Sequence, residues 1–255
     1  NKMSQGVEFA HQTDANQSQT EANVGSGLIP RVRNLILEHP VSKHEWFSSM
    51  EGAKAPELFN LLMNYDAHAT LLRRLLLKAA TLMPEPAVGF ILENVRNEYG
   101  NGDYRRAHQK QLLNLVDCLV EKHCGGIRPE VTICDGVRQY MAEVQTFYFP
   151  EEGLFADEER PLISAGAITA TEVLALEEFK ALQLAFEPFG LADHIWFDHV
   201  NIEAEHADES MDLVAYFLHD DQESLASIEI GIGGVLMCNT SLYDGFLQSV
   251  RRDRI

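Results

Sequence analysis

The chain has 255 residues, of which 45% are hydrophobic, and a net charge of −19. It is long enough to bury a core and too apolar for wholesale disorder. A chain this acidic repels phosphate backbones and anionic lipid, which argues against nucleic-acid and membrane-surface partners. No uninterrupted run of 18 apolar residues argues for a membrane span either; the apolar stretch 71–77 is broken by Arg73 and Arg74.

Residues 1–27 are polar, rich in Gln, Asn, Ser and Gly, and read as a flexible arm. The remainder, 28–255, shows no linker and no internal repeat, and reads as one domain. Two short helices are expected at 30–38 and 44–50, around Pro40. A long helix follows over 56–82, with apolar residues at 58, 61, 62, 65, 69, 72, 76 and 79, the spacing of one buried face. Pro84 and Pro86 end it, and a helix over 86–99 closes at Gly100-Asn101-Gly102-Asp103. The next spans 104–123 and stops at Gly125-Gly126; the segment 131–149 reads as mixed but helical.

An acidic loop covers 150–160. Pro161 suits the first turn of a helix running to about 186, and Pro188 and Gly190 separate it from the next. That next helix is expected from Asp193, as its N-cap, to His219; a break at 220–223 precedes the last helix, to about 250. Only 131–133 and 228–235 carry strand propensity, and neither has a turn-flanked partner. The expected fold is a single all-α bundle.

Four cysteines (Cys118, Cys124, Cys134 and Cys238) form no C-x-x-C pair and are too few for a disulfide scaffold. They read as free thiols of a cytoplasmic protein.

The segment 197–206 carries the chemistry. On a helix Glu203 lies about 40° from His199, and His206 about −20°. The same stripe holds Ile195, Trp196, Ile202, Leu213 and Phe217, so it faces the core. Two imidazoles and a carboxylate suit Fe, Mn or Zn, and burying them unpaired costs several kcal/mol. Glu98, His108 and Glu172 each interrupt another apolar stripe. Together these make three Glu and three His, the ligand count of a two-metal carboxylate site. A ferritin-like bundle needs two E-x-x-H motifs, and only Glu203 to His206 is present.

Three stretches carry a resemblance: Glu98-Tyr99-Gly100-Asn101-Gly102 through His108, Glu172 on the middle helix, and His199 with Glu203 and His206. In these the sequence resembles the heme-oxygenase-like di-metal oxidases, also called iron-containing redox enzymes, which share a fold with the TenA thiaminases and pyrroloquinoline-quinone synthase. The resemblance covers residues 56–250. Where the family has Asp, this chain has Glu203, one methylene longer. Glu177 is a weaker candidate than Glu172, since it lies about 140° around the helix.

The resemblance implies a heme-oxygenase-like (TenA-like) bundle. It implies two iron ions, with manganese the alternative, held by Glu98, His108, Glu172, His199, Glu203 and His206. It also implies O2 as co-substrate and oxidation of a small organic molecule of the amine, amino acid or fatty acid type. The expected partner is that small molecule, in a homodimer, without nucleic acid or membrane.

A rival reading comes from the same fold: a metal-free TenA-like aminopyrimidine hydrolase with a Cys nucleophile and a Glu. Cys118, Cys134 and Cys238 are its candidates, and none has a His or Lys beside it in sequence to lower its pKa. Gly231-Ile232-Gly233-Gly234 lacks the Lys-Ser/Thr of a phosphate loop and reads as close helix packing. Phe147, Tyr148, Phe149 and Phe155 read as core more than as a substrate entrance, and Arg105 and Arg106 as partners of surface acids. His39, His44, His123, His194 and His219 lie at helix ends or loops, where exposure is expected; the role of His68 stays open.

Overall fold

The computed structural model describes residues 27–218 and 223–251, and of residues 199 and 201–203 the backbone alone. The arm expected over 1–27 lies outside the described residues except for its last residue, and so does most of the break at 220–223. The helices are α1 over 27–37, α2 Trp46–Ser49, α3 Ala55–Ala80, α4 Glu85–Glu98 and α5 His108–His123. After them come α6 Asp135–Glu143, α7 Gln145–Tyr148, α8 Arg160–Phe186, α9 His199–Leu218 and α10 Ser224–Arg251. Among the described residues the β-structure is one isolated bridge, Glu152 to Phe155.

Helix contacts run from α3 to α4, α9, α8, α10 and back to α3, so these five close a ring. On α3, Leu58, Leu61, Leu62, Tyr65, Leu76 and Ala79 of the expected face are buried. Ala69 and Leu72 of the same face line a cavity instead. α8 starts with Pro161 in its first turn and is buried on every side over 163–170, as befits the helix between α9 and α10. α10 is long and apolar enough by composition to cross a membrane, which the count of consecutive apolar residues did not register. More than half of its most apolar window is buried, as in a core helix packed on α8, α6 and α3.

Close approach of α8 and α10 depends on glycine. A Cβ at Gly166 would lie 2.1 Å from the Ile228 carbonyl oxygen, and one at Gly231 1.9 Å from that of Ile163. Within the run 231–234, Gly231 and Gly234 are packing glycines, as expected, while Gly233 faces open space.

Three expected helices are interrupted. The one over 104–123 is a 3-10 turn, Tyr104–Arg106, then α5, with Ala107 extended between them (ψ 144). The one over 131–149 begins extended, because the α3 side-chain amides hold its backbone. Asn60 Oδ1 accepts from the Thr132 N–H (3.1 Å) and Asn64 Oδ1 from that of Cys134 (2.8 Å). The third does not start at Asp193: a 3-10 turn, Ile195–Asp198, precedes α9 at His199. In it His194 Nδ1 accepts from the Trp196 N–H (3.1 Å), so Ile195 and Trp196 do not share the α9 stripe. His39 and His44 cap their following turns in the same way and, like His194, are half-buried; His123 is exposed. His219 lies outside the described residues.

Candidate functional site

The ring lines a cavity of ≈ 80 Å³ that opens to the surface. Glu98, the last residue of α4, His108, the first of α5, and Glu172, midway along α8, line it together.

The turn between α4 and α5 sets the first pair. Gly100, Asn101 and Gly102 all have positive φ (79°, 55° and 93°). A Cβ at Gly100 would lie 2.2 Å from the Asp103 carbonyl oxygen and 2.7 Å from the Ala107 nitrogen, so glycine alone permits this fold-back. It brings His108 Nδ1 to 2.9 Å from Glu98 Oε1. Arg73, buried on α3, stands 3.9 Å from Glu98 Oε2 and balances its charge.

The second pair joins α8 to α9. His206 Nδ1 lies 3.9 Å from Glu172 Oε2, and Asn94 Nδ2 of α4 donates to Glu172 Oε1 (2.8 Å). The pairs face each other, with the His108 and His206 rings 6.5 Å apart. His108, Glu172 and His206 are buried, and the Glu98 side chain is 15% exposed.

Four of the six expected ligands are therefore assembled from four helices. The side chains of His199 and Glu203 lie outside the described residues; α9 runs unbroken through both register positions to His206. Among the described residues the donors stand as two pairs, with no group of three or more close enough to hold an ion. Their chemistry fits iron nonetheless: buried imidazoles and carboxylates of net negative charge, converging from separate helices. Glu177 points its charge elsewhere, to Lys180 (3.1 Å).

Sequence reading missed the other end of the cavity. There Glu178 is buried, and both carboxyl oxygens accept phenol hydroxyls, Oε1 from Tyr243 (2.7 Å) and Oε2 from Tyr65 (3.0 Å). Burial pushes its pKa up to about 7. His68 and Asn239 line the same end, and burial pushes the His68 pKa down to about 3, so the imidazole is neutral. A signal was available: Glu178 shares a stripe with Leu174, Ala175 and Leu182, as His68 does with Leu61, Tyr65 and Leu72.

Of the four aromatic residues considered for an entrance, Tyr148 lines the cavity, and Phe147 packs where a Gly234 Cβ would stand. Arg105 pairs with Asp103 on the surface (2.8 Å). Cys134 and Cys238 are buried, Cys118 and Cys124 half-buried, and all four are free.

A family model described as iron-containing redox enzyme matches residues 62–235. No curated protein matches the chain significantly. A solved structure, a CADD-like protein of unknown function from Nostoc punctiforme, superimposes with a TM-score of 0.67 at 12% identity, covering 88% of this chain and 97% of that one. At that identity the likeness shows the fold alone, the all-helical bundle of a CADD-like protein.

Proposed function

This chain belongs to the iron-containing redox enzyme family, and from that premise we propose that it is a non-heme di-iron oxidase or oxygenase. Its ligands would be Glu98, His108, Glu172, His199, Glu203 and His206, its co-substrate O2, and its substrate a small organic molecule. The observation that carries the reading is the convergence of Glu98, His108 and Glu172 on one cavity, with His206 set beside Glu172 and His108. Iron held there would supply the reducing electrons for O2 and the oxidising power for the organic molecule.

The chain's own residues do the rest. The carboxylates offset the cations' charge. Asn94 fixes the orientation of Glu172, as residues behind a metal ligand do. Leu112, Phe179, Trp196 and Leu242 give the cavity apolar walls against which an organic substrate can pack.

The metal-free hydrolase reading finds less support. No cysteine is among the described residues lining the cavity, and burial pushes the Cys238 thiol up to about 11, away from the reactive thiolate. The net charge of −19 supports a small-molecule partner over nucleic acid or anionic lipid, and four free thiols support a reducing, cytoplasmic setting. Homodimeric assembly belongs to the same proposal, with solution mass as its check.

Elemental analysis after iron-replete expression tests the reading, together with anaerobic titration of ferrous iron into apo protein. Two iron ions per chain and a raised melting temperature are expected. Absence of bound metal, with no shift on titration, overturns it.

A further inference from the structure

Glu178 follows Glu172 on α8 by six residues, a rise of about 9 Å, so the cavity has two polar poles. The second has features that a purely structural carboxyl does not need. Among the described residues no Lys or Arg pairs with Glu178; the one cation lining the cavity, Arg73, is engaged with Glu98. Asn239 is 2% exposed, lines this pole, and its buried Oδ1 has no hydrogen-bond partner. His68, packed edge-on against Tyr65 at 4.6 Å, is neutral and so offers a lone pair instead of a second positive charge. Tyr65, Tyr140 and Trp196 add aromatic faces.

A carboxyl, an amide oxygen and a neutral imidazole are all acceptors, and the ring faces around them are negative. A fatty acid carboxylate would bring a second carboxyl against Glu178, with no cation among the described residues of this pole to balance it. An ammonium group brings three N–H donors and the cation this pole lacks.

We propose that the pole formed by Glu178, Asn239 and His68 binds the protonated amino group of a primary amine, with the rest of the ligand reaching towards Glu98, His108 and Glu172. That this amine is the molecule oxidised rests on the di-iron reading; that the pole binds an ammonium does not. The spacing of about 9 Å suits an aliphatic amine of roughly five to seven carbons.

The test is calorimetry on the full chain, metal-free and iron-loaded, with pentylammonium, pentan-1-ol and pentanoate as probes. The expected result is pentylammonium binding at least about tenfold tighter than pentan-1-ol, the scale of one charge-assisted hydrogen bond, with that margin lost in Glu178→Gln. Asn239→Leu, which removes the open acceptor, should weaken pentylammonium and spare pentan-1-ol, and serves if Glu178→Gln does not fold. Pentanoate binding best, an unchanged margin in the variant that folds, or no binding of any probe overturns the proposal. Iron content is measured on the same samples. Protein that takes up no iron when it is supplied yet binds pentylammonium retires the oxidase and keeps the pole; protein that loads iron but is indifferent to pentylammonium does the reverse.

Discussion

Glu98 and His108 stand ten residues apart in sequence and 2.9 Å apart in space, because a turn of three positive-φ residues folds α5 back onto the end of α4. The first ligand pair is thus a property of a backbone turn as much as of the two side chains.

Gly100→Ala should damage that turn. Its φ of 79° and the 2.2 Å approach to the Asp103 oxygen leave no place for a methyl group. A loss of about 1–3 kcal/mol is expected, the scale of a residue forced out of its allowed region. Thermal stability and iron retention should fall together, whereas Gly89→Ala, inside α4 where a Cβ meets open space, should spare iron retention and raise stability by about 0.5–1 kcal/mol. Full iron retention in Gly100→Ala would separate the turn from the site.

Asn94 touches no expected ion position directly, yet it holds Glu172 by a 2.8 Å hydrogen bond. Asn94→Leu is expected to keep the helical spectrum and weaken iron affinity by about 10–100-fold, the usual cost of losing a group that orients a ligand. Competition with a chelator measures it; unchanged affinity would make Asn94 a packing residue.

Glu203 offers an ordering test. As a ligand, it should tolerate Glu203→Asp, which keeps the charge, better than Glu203→Gln, whose neutral amide no longer offsets the cations. His199→Ala and His206→Ala should both lose iron. The opposite order for the Glu203 variants, measured as iron affinity, argues that this residue is not a ligand.

Glu178 and His68 predict a pH signature. The Glu178 pKa is raised from 4.5 to about 7, so its contribution is full below pH 4.5 and is lost as pH rises through 7. The His68 pKa is lowered from 6.5 to about 3, so its contribution is full above pH 6.5 and is lost as pH falls through 3. Between pH 4.5 and 6.5 the two slopes oppose and nearly cancel. Glu178→Gln removes one of them, so over this window its stability should rise relative to the parent by about 1.4 kcal/mol per pH unit. Denaturant melts at several pH values read this difference; parallel curves for parent and variant would mean that Glu178 is not held protonated.

The long helices were legible because side chains at 3–4 spacing report one buried face. α3 and α8 start within a residue of expectation, the latter marked by Pro161. The short interruptions were not legible. A 3-10 turn such as Ile195–Asp198 keeps nearly the same apolar spacing as an α-helix, so the pattern ran through it. The extended entry to α6 is dictated by Asn60 and Asn64, 72 and 70 residues distant. The metal pole was readable because its polar residues interrupt apolar stripes. Glu178 and His68 obey the same rule, but no family motif drew attention to them.

The glycine contacts between α8 and α10 bear on exchange with deuterium. Ile163 and Ile228 lie at the seam with their backbones against Gly231 and Gly166, where no side chain separates the helices. Water cannot reach amides along that seam unless the two helices part, and parting them dismantles the centre of the ring. Amides near 163–167 and 228–232 should therefore exchange only through global unfolding, while those of peripheral α2 and α7 open locally and far sooner. Glu172 on one partner and Asn239 on the other ride on the last part of the molecule to come undone.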